Sequence, residues 1–523
     1  MIGFGQQNLA ELFAQIPISA DISSAIPDIS IYGITNDSRA VKPGYLFVAQ
    51  VGGTSDGHQF IPQAIKNGAC AVVGTRELDT EVPYLRVRDS REALAYLSAA
   101  FYGFPARQLT VIGVTGTDGK TTTANLIYQI LLNAGMRVGI ISTINALVGD
   151  EILDTGLHVT TPEAPDIQRY LARMVTAGLT HVVLESTSHG LAQHRVTGCE
   201  FDIGVVTNIT HEHLDFHGTY EAYRSAKGRL FTSLETTHQK PQGNPRLAVL
   251  NQDDQSYDYL SQLVKTRQVA YSLKQTDKGV WAEGIHYDSS GMHFTACTPK
   301  YCFAVDSPMV GEFNVSNCLA AIAATVVGLG VDQEAARKGI GALRSVPGRM
   351  ERIDLQQAFQ AIVDFAHTPN ALRVTLEMAR KMTRGKVITV FGSAGLRDRE
   401  KRRMMAEISA EMADVTILTA EDPRTESLDD ILAEMSSAAG RKGATEGRSL
   451  FIVNDRGEAI RKAVNMAGDN DLVIALGKGH EQSMCFGLVE YPWDDRTAMT
   501  AAISERLGVK GPEMPYLPTQ DIS

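Results

Sequence analysis

The sequence predicts a three-domain α/β protein: a small N-terminal α/β domain, a central domain built on a parallel sheet, and a Rossmann-like C-terminal domain. The chain has 523 residues, which is enough for roughly three domains of ~150 residues each. Strand-like and helix-like stretches alternate along most of it, as is typical of parallel sheets. Linker-like stretches near Pro105 and Pro347 place the domains at residues 1–106, 107–346 and 347–523.

Strand and helix patterns follow one another within each predicted domain. The N-terminal stretch has short β-rich runs and an alanine-rich helix pattern that ends at a glycine. In the central stretch a β-branched run ends in glycines before a helical pattern, and further apolar strands follow. The C-terminal stretch repeats the alternation. In order, the main runs are ISIYGIT, YLFVAQV, FIPQAIKNGA, CAVVG, TVIGVTG, TTTANLIYQILLNAG, VGIIST, APDIQRYLARMVTAG, HVVLES, FDIGVVTN, AIVDFAH, KVITVFGS, DVTILTA and DLVIALG.

Composition limits the classes of partner and compartment. The formal net charge of -11 argues against a protein that coats nucleic acid, because a phosphate backbone needs a basic face. The longest smooth apolar run, Ala320–Val331, is shorter than the ~20 residues of a membrane span, and no signal-peptide pattern is evident. We therefore expect a cytoplasmic protein without membrane insertion or a nucleic-acid partner. The six scattered cysteines are expected to be thiols. The oligomeric state stays open, with a monomer favoured.

The strongest single motif is a glycine-rich turn between a strand and a helix, GVTGTDGKTTT at residues 113–123. Glycines let the backbone wrap a phosphate chain, and the helix N-terminus directs N–H groups and its positive dipole end at it. Lys120 would bridge the β- and γ-phosphates, while the Thr121 hydroxyl would ligate Mg²⁺. The spacing is not strict, because valine occupies position 114, where the usual loop has glycine. The motif favours a nucleotide-binding loop over a generic glycine turn before a helix. It does not indicate which molecule accepts the phosphoryl group.

Further segments in the same order carry a family resemblance. Together with the loop, they resemble the motifs of the Mur ligase family, whose ATP loop also occurs in folylpolyglutamate synthetases. The N-terminal stretch, ITNDSRAVKPGYLFVAQVGGTSDGHQFIPQAIKNGACAVV, resembles a UDP-sugar-binding domain that folylpolyglutamate synthetases lack. The resemblance covers nearly the whole chain. The other segments are ESTSHGLAQHRV (185–196), TNITHEHLDFHGTYEAYRSAKGRLF (207–231), GEFNVSNCLAA (311–321), VPGRMER (346–352) and DFAHTPNAL (364–372).

The resemblance implies an ATP-dependent ligase of peptidoglycan precursor synthesis, with a consequent role in cell-wall biogenesis, cell shape and cell division. Within the family, the chain is most similar to enzymes that add a diamino acid to UDP-N-acetylmuramoyl-L-Ala-D-Glu. The implied reaction transfers the γ-phosphoryl group of ATP to a carboxylate, and the amine then attacks the acyl phosphate. This chemistry depends on positioning and on neutralising phosphate charge. Mg²⁺ suits it because hard cations take oxygen ligands.

The resemblance also implies roles for individual residues. Catalysis would involve Lys120, Glu185, His213 and Lys227, and Mg²⁺ would be held by Thr121, Glu185, His213 and a carbamylated Lys227. Contacts with ATP would come from Gly116, Thr117, Gly119, Lys120, Thr121, Thr122, Asn314, Asn317, Arg349 and Asp364. The UDP-linked substrate would contact Ser38, Arg39, His58, Thr160, Thr161, Ser188, Gln193 and Arg195. One departure is Glu212, which stands where the family usually has aspartate.

The choice of amino acid is implied by a motif that departs from the family pattern. Diaminopimelate enzymes of the family have Asp-Asn-Pro-Arg, whose arginine forks onto the distal carboxylate; this chain has Glu421-Asp422-Pro423-Arg424. An anionic Asp422 favours the ammonium of lysine or ornithine. Arg424 favours a second carboxylate, unless its acidic neighbours pair with it. We predict meso-diaminopimelate ahead of L-lysine or L-ornithine. The implied contacts are Arg397, Asp422, Arg424, Gly477 and Glu481.

Two alternative functions remain open from the sequence. The first is another ligase of the same superfamily, of the folylpolyglutamate or cyanophycin type, and the UDP-binding-like first domain argues against it. The second is a non-catalytic homologue that binds nucleotide or cell-wall precursor. The presence of Lys120, Glu185, His213 and Lys227 argues against such a loss of activity.

Overall fold

The structure is a computed structural model that describes residues 5–18, 26–52, 55–149, 151–153, 160–210, 214–288 and 291–522. The chain divides into two compact units, Met1–Leu343 and Arg344–Ser523. The first unit contains the predicted N-terminal and central domains, and the second unit corresponds to the predicted C-terminal domain. The domain boundaries proposed from the sequence stay predictions.

The N-terminal region is a four-stranded parallel sheet with helices on both faces. Side chains alternate along each strand, so Leu46 packs with α1 and α3 while Phe47 packs with α2. The run ISIYGIT forms two strands, because β2 leaves this sheet to pair with β1. The elements are β1 (Gln7–Asn8), α1 (Leu9–Ala14), β2 (Ser30–Ile31), β3 (Gly33–Thr35), β4 (Tyr45–Val48), α2 (Ile61–Lys66), β5 (Ala69–Gly74), β6 (Tyr84–Arg86) and α3 (Ser90–Phe101), with 3-10 turns at Gly57–Phe60 and Pro105–Gln108.

The central region is built on an eleven-stranded sheet. Its first elements are β7 (Thr110–Thr115), α4 (Lys120–Asn133), β8 (Val138–Ile141), β9 (Ala146–Val148), β10 (Glu151–Leu153), α5 (Ala164–Thr176), β11 (His181–Glu185), α6 (Ser188–Ala192), β12 (Ile203–Val206), α7 (Leu214–His217) and α8 (Tyr220–Thr236). They continue with β13 (Leu247–Asn251), α9 (Tyr257–Leu263), β14 (Arg267–Ser272), β15 (Val280–Asp288), β16 (Gly291–Cys297), β17 (Cys302–Ser307), α10 (Glu312–Ile322), a π-helical stretch at Ala323–Gly328, and α11 (Gln333–Ala342).

The middle of this sheet is parallel, and its two edges are antiparallel. The strand order is β10-β9-β8-β11-β7-β12-β13-β14-β15-β16-β17. Strands β8 to β15 in this order run parallel, whereas β9 and β10 at one edge and β16 and β17 at the other are antiparallel. Strands β8 and β12, in the middle of the sheet, are apolar and fully buried because both faces are covered there. The predicted α/β alternation is therefore confirmed, and the antiparallel edges are an addition to it.

Strand β7 is fixed at its start by a buried charge pair. The Lys240 ammonium lies 2.5 Å from the Asp202 carboxylate, and it also donates to the carbonyls of Leu109 and Glu200. The Asp202 carboxylate accepts in turn from the Val111 N–H at 2.8 Å. The position of β7 therefore depends on charges buried at the sheet end opposite its glycine-rich turn.

The second unit is a six-stranded sheet in the order β18-β19-β23-β20-β21-β22, with helices on both sides. All strands except β18 are parallel, as predicted for a Rossmann-like domain. The elements are β18 (Glu351–Arg352), β19 (Gln360–Asp364), α12 (Pro369–Met382), β20 (Val387–Phe391), α13 (Arg399–Met412), β21 (Val415–Leu418), α14 (Leu428–Arg441), β22 (Leu450–Ile452), α15 (Arg456–Met466), β23 (Leu472–Leu476), β24 (Ser483–Phe486), β25 (Val489–Pro492), α16 (Asp495–Leu507) and a 3-10 turn at Pro518–Ile522.

Two further features bear on the sequence predictions. Within the described ranges, no helix is both long enough and apolar enough to cross a membrane. Cys297 and Cys302 form a disulfide between β16 and β17, so the expectation of free thiols is wrong for this pair. The two strands place these cysteines directly opposite each other, which their sequence spacing did not indicate.

Candidate active site

The predicted phosphate loop lies between β7 and α4, at the carboxyl edge of the central sheet. The segment after β12 binds its backbone: Thr117 N donates to the Asn208 carbonyl at 2.7 Å, and Asp118 N donates to Asn208 Oδ1 at 2.9 Å. Lys120, the first residue of α4, donates from its ammonium to the Thr117 carbonyl at 2.7 Å. The loop is thus held in shape by the protein itself, as a rigid phosphate cradle requires.

Gly116 is needed where the loop passes closest to β12. Its φ is 153°, and a Cβ at this position would lie 1.8 Å from Thr207 Oγ1. The Thr207 hydroxyl donates to the Asp118 carbonyl, so it cannot simply turn away without releasing the loop. Gly119 ends the turn with φ 80°, and Thr122 is buried in the first turn of α4.

Thr121 and Glu185 meet beside this loop. The Thr121 hydroxyl lies 3.0 Å and 3.1 Å from the two carboxylate oxygens of Glu185, which is the last residue of β11. Thr143 N donates to Glu185 Oε2 at 3.1 Å. Both Thr121 and Glu185 are buried. Hydroxyl and carboxylate oxygens are therefore concentrated where the helix begins.

Lys227 on α8 contacts the same loop. Its ammonium donates to the Gly116 carbonyl at 2.5 Å and lies 4.5 Å from the centre of the Tyr223 ring. The Tyr223 hydroxyl is 2.9 Å from Thr117 Oγ1, so α8 also contacts the loop through this side chain. His213 lies outside the described residues, and so does Glu212.

The residues present fit a hard divalent cation. Among the described residues, no three histidine, cysteine, aspartate or glutamate side chains are grouped as a metal site would require. Mg²⁺ does not need such a group, because it binds through one or two protein ligands together with substrate phosphates and water. The Thr121 hydroxyl and the Glu185 carboxylate supply oxygen ligands of this kind.

The predicted contacts for the UDP-linked substrate form a cluster next to Glu185. Thr161 Oγ1 donates to the Glu185 carbonyl at 3.2 Å, and the Arg195 guanidinium donates to the Thr161 carbonyl and to Gln193 Oε1, each at 2.9 Å. The Ser188 hydroxyl and Arg195 Nε are buried, and neither finds a hydrogen-bond partner among the described residues. Thr160 precedes Thr161 in the same turn. Unsatisfied buried polar atoms of this kind are suited to bind a polar ligand.

Glu163 joins this cluster to the N-terminal region. The Arg195 guanidinium lies 3.0 Å from Glu163 Oε1, and Asn36 Nδ2 donates to Glu163 Oε2 at 3.5 Å. Asn36 immediately precedes the predicted UDP-binding turn at Ser38 and Arg39. Ser38 is buried, whereas the Arg39 side chain is exposed and pairs with Asp37 at 2.9 Å, which lowers the pKa of that carboxyl. The two predicted parts of the substrate site are therefore contiguous in the first unit.

His58 has a different environment from these residues. Its Nδ1 lies 2.6 Å from Asp56 Oδ1, and its Nε2 accepts from Thr75 N at 3.0 Å. Both ring nitrogens are thus bonded inside the protein, and the side chain is buried. In this arrangement His58 fixes the loop between β5 and β6, and the predicted substrate contact stays a prediction.

The remaining predicted nucleotide contacts fall in both units. On α10, Asn317 Oδ1 accepts from Thr123 on α4 at 3.2 Å, and Asn317 Nδ2 donates to Asn314 at 3.1 Å, so both asparagines lie close to the helix that follows the loop. In the second unit, the Arg349 guanidinium lies over the Phe365 ring at 4.3 Å. Asp364 ends β19 and accepts from the N–H groups of Met350 and Ala366 at 2.8 Å and 2.9 Å.

The amino-acid motif of the second unit follows β21 and is tied to the segment after β23. Asp422 has φ 41°, a left-handed conformation that aspartate and asparagine tolerate better than most residues. Its carboxylate accepts from the Lys478 ammonium at 3.0 Å and 3.1 Å and from Cys485 N at 2.8 Å. Lys478 also lies 2.6 Å from Glu481 Oε2. Lys478 is fully buried, and it joins two of the predicted contacts.

Arg424 is left out of this charge cluster. Its guanidinium donates to the Gly395 carbonyl at 3.2 Å, and no carboxylate among the described residues lies within ion-pair distance of it. Asp422 therefore pairs with Lys478 and not with Arg424. Arg397 is exposed on the loop after β20, and Gly477 follows β23, with its N–H donating to the Asp364 carbonyl at 3.1 Å. These positions all follow carboxyl ends of parallel strands, where open α/β sheets bind ligands.

Glu421 is a buried acid at this edge. Burial raises the pKa of Glu421 to about 7, although Arg456 and Lys478 act in the opposite direction. Gly392 N donates to its carboxylate at 3.4 Å. Glu421 is therefore a proton-binding group near neutral pH.

Several residues of these clusters were not predicted as site residues. Their roles depend on contacts between segments that are distant in sequence, such as Asp422 and Lys478, which are 56 residues apart. Asn36, Thr207, Asn208 and Tyr223 lie within segments that carry the family resemblance, and Lys478 lies between the predicted contacts Gly477 and Glu481. The additional residues are Asn36, Thr143, Glu163, Thr207, Asn208, Tyr223 and Lys478.

Three family models match the chain in succession. They are described as "Mur ligase family, catalytic domain" over residues 30–102, "Mur ligase middle domain" over residues 114–325, and "Mur ligase, glutamate ligase domain" over residues 348–479. The matches cover each of the three regions of the chain.

Individual proteins of the same kind match over nearly the full length. A UDP-N-acetylmuramoyl-L-alanyl-D-glutamate–2,6-diaminopimelate ligase of Geobacillus thermodenitrificans is 40% identical over 92% of this chain and 96% of its own length. A UDP-N-acetylmuramyl-tripeptide synthetase of a Roseiflexus species is 40% identical over 96% of this chain and 100% of its own. A solved structure of a UDP-N-acetylmuramoyl-L-alanyl-D-glutamate–2,6-diaminopimelate ligase aligns with TM-score 0.65 and 30% identity, over 96% of this chain and 99% of that one.

Proposed function

Because the chain belongs to the Mur ligase family, we propose that it joins a diamino acid to UDP-N-acetylmuramoyl-L-Ala-D-Glu while converting ATP to ADP and phosphate. This reaction is a step in building the peptidoglycan precursor. Relatives with about 40% identity over almost their whole length carry this activity in their names. The observation that carries the proposal is the buried Thr121–Glu185 pair at the mouth of a preformed phosphate loop. Other superfamily ligases and a non-catalytic role are less well supported.

The proposed reaction has two steps. A substrate carboxylate oxygen attacks the γ-phosphorus of ATP, ADP leaves, and an acyl phosphate forms. The deprotonated amine of the diamino acid then attacks the acyl carbon, and phosphate departs from the tetrahedral intermediate. The loop N–H groups and the Lys120 ammonium would neutralise phosphate charge during the first step.

We infer that Mg²⁺ is the cofactor, held by Thr121, Glu185, His213 and a carbamylated Lys227. When bound, it would supply charge neutralisation on phosphate oxygens. The oxygen ligands of Thr121 and Glu185 support this assignment, and Lys227 is buried next to the same loop. Peptide mass measurement after trapping in bicarbonate should detect a carbamate on Lys227. A plain amine under these conditions would refute the carbamylation.

The UDP-linked substrate is proposed to bind along the first unit. The turn at Ser38 and Arg39 would receive the nucleotide end, and the cluster around Thr161 and Arg195 would receive the muramoyl-dipeptide. Support comes from the Glu163 bridge between these two regions and from the unsatisfied buried polar atoms of Ser188 and Arg195. This arrangement would bring the dipeptide carboxylate towards Glu185.

We propose meso-diaminopimelate as the amino acid, ahead of L-lysine or L-ornithine. From the sequence, Asp422 favoured a substrate ammonium, and Arg424 favoured a second carboxylate unless Asp422 and Glu421 paired with it. Instead, Asp422 is matched by Lys478, and Arg424 has no carboxylate partner among the described residues. A guanidinium in this condition is suited to a second substrate carboxylate.

An ADP-release assay tests the whole proposal. Purified protein, Mg²⁺ and ATP are combined with UDP-N-acetylmuramoyl-L-Ala-D-Glu and, separately, with diaminopimelate, lysine or ornithine. We expect ADP formation that needs both the UDP-linked dipeptide and the amino acid, with the highest kcat/KM for diaminopimelate. No ADP with any of the three would refute the ligase function. Use of lysine alone would refute the amino-acid assignment.

A further inference from the structure

The amino-acid site of the second unit contains a charge cluster whose balance depends on one buried lysine. We propose that Lys478 is a specificity-determining, positioning residue: it neutralises Asp422 so that Arg424 can pair with the second carboxylate of the incoming diamino acid. This inference rests on the proposed function. It assigns a role to a residue that the sequence resemblance did not single out.

The first support is the geometry of the Asp422 carboxylate. Both of its oxygens accept hydrogen bonds from the Lys478 ammonium, at 3.1 Å and 3.0 Å. One of them also accepts a hydrogen bond from Cys485 N at 2.8 Å. The carboxylate is thus directed towards the segment after β23. Its charge is therefore paired inside the protein.

The second support is the charge state of Lys478. Burial alone would lower the pKa of this lysine, but the carboxylates of Glu481 and Asp422 outweigh it and raise the pKa. Lys478 is therefore cationic, and a cation in a fully buried position is costly unless it is paired. Two carboxylates share this one ammonium, so removing it would leave two negative charges close together.

The third support is the way Arg424 is oriented. The backbone of Arg424 is hydrogen-bonded to β24 and to the turn after it: Arg424 N donates to the Cys485 carbonyl at 3.1 Å, and Gly487 N donates to the Arg424 carbonyl at 2.8 Å. The Asp422–Cys485 bond belongs to the same connection. Asp422 therefore contributes to holding Arg424, and Lys478 allows it to do so without a net negative charge beside the guanidinium.

This arrangement makes a definite prediction about selectivity. With Lys478 present, the surroundings of Arg424 favour a ligand end that carries a carboxylate. Without it, the uncompensated Asp422 and Glu481 would repel that carboxylate and attract an ammonium. Lysine, which lacks the second carboxylate, should then be the better substrate.

The test compares kcat/KM for diaminopimelate and lysine in four proteins: wild type, K478M, D422N and D422N/K478M. Methionine fills the buried space of lysine without its charge. In K478M we expect KM for diaminopimelate to rise roughly 30-fold and KM for lysine to change less than about threefold. In the double variant, removal of one anion should restore KM for diaminopimelate to within about fivefold of wild type. In D422N alone, the preference for diaminopimelate should increase.

A matched control is K240M in the first unit, which removes another fully buried lysine paired with aspartate. It should lower the thermal unfolding temperature without altering the diaminopimelate-to-lysine ratio. KM values for ATP and the UDP-linked substrate should stay unchanged in all the second-unit variants. If K478M does not fold, D422N remains decisive, because asparagine tolerates the left-handed backbone at this position.

The outcomes separate this inference from the proposed function. A folded K478M with the wild-type substrate ratio, a double variant no better than K478M, or a D422N variant with an unchanged ratio would overturn the inference while leaving the ligase function intact. A wild-type protein that forms ADP with neither amino acid would overturn the proposed function itself. A wild-type preference for lysine would overturn the diaminopimelate assignment and this inference together.

Discussion

The carboxyl edges of the two parallel sheets differ in how they are built. At the central sheet, the phosphate loop is held by neutral side chains such as Asn208 and Thr207, and by the ammonium groups of Lys120 and Lys227, which donate to backbone carbonyls. At the second sheet, the loop of Asp422 is held by a fully buried ammonium. The contacts that hold the first loop are thus hydrogen bonds to neutral groups, whereas the second loop is held by an ion pair. We expect mutations to impair catalysis at the first edge and to alter selectivity at the second.

The largest expected effect is at the first edge. Glu185→Gln removes the negative charge beside Thr121 and should lower the rate of ADP formation roughly 10³-fold, or about 4 kcal/mol in the barrier. Glu200→Gln, which makes the same change at a carboxylate paired with Arg107, is the control and should retain activity. A folded Glu185→Gln protein with wild-type turnover would show that charge is unimportant at this edge.

The second prediction concerns pH and the second edge. Burial raises the pKa of Glu421 from 4.5 to about 7 in the folded protein. Between these values the unfolded chain loses a proton that the folded chain keeps, so stability falls as pH rises through this window. Relative to Glu421→Gln, the wild type should lose up to about 3 kcal/mol between pH 4.5 and 7 and no more above it. Urea unfolding at several pH values measures the free energy of unfolding of both proteins. If this free energy changes with pH in the same way for the wild type and for Glu421→Gln, the prediction is wrong.

The third prediction tests how closely the phosphate loop approaches β12. Gly116→Ala places a Cβ 1.8 Å from Thr207 Oγ1, so the loop must move, and ATP affinity should fall roughly 30-fold, or about 2 kcal/mol. Gly135→Ala is the matched control, because Gly135 has φ 75° but no atom within 4 Å of the added carbon. Calorimetric titration with a non-hydrolysable ATP analogue distinguishes them. An equal loss of ATP affinity in both variants would mean that backbone strain alone causes the effect.

The smallest effect is expected from Arg424. Arg424→Ala should raise KM for diaminopimelate about tenfold, the value of one charged hydrogen-bonded contact, and leave KM for lysine unchanged. Arg448→Ala, at an exposed arginine of the same unit, controls for loss of positive charge. Steady-state assays with both amino acids provide the measurement. An equal rise for lysine would mean that Arg424 does not recognise the second carboxylate.

The sequence was most informative where a site consists of neighbouring residues. The strand, glycine turn and helix around Lys120 occur as the pattern predicts. Thr121 and Glu185 meet because Thr121 follows β7 and Glu185 ends the adjacent parallel strand β11. The strand patterns of the second unit likewise form its parallel sheet. Local periodicity and the rule that ligands bind at strand ends were sufficient for these features.

The sequence was less informative where a site depends on pairing across the fold. Nothing in the EDPR run indicates that Asp422 pairs with Lys478, and the choice between ammonium and carboxylate recognition depended on that partner. His58 was assigned by resemblance, which did not indicate that Asp56 and Thr75 contact its two ring nitrogens. The Cys297–Cys302 bridge depends on the register of β16 and β17, which short antiparallel patterns do not specify.

The anchoring of β7 has a consequence for nucleotide exchange. The strand is fixed at its start by the Lys240–Asp202 pair, and its loop is fixed at the other end by Asn208. The loop is therefore preorganised before a nucleotide binds, so little of the binding free energy is used to order the chain. Release of spent nucleotide need not disturb the β-sheet scaffold either, and the same cradle is ready for the next turnover.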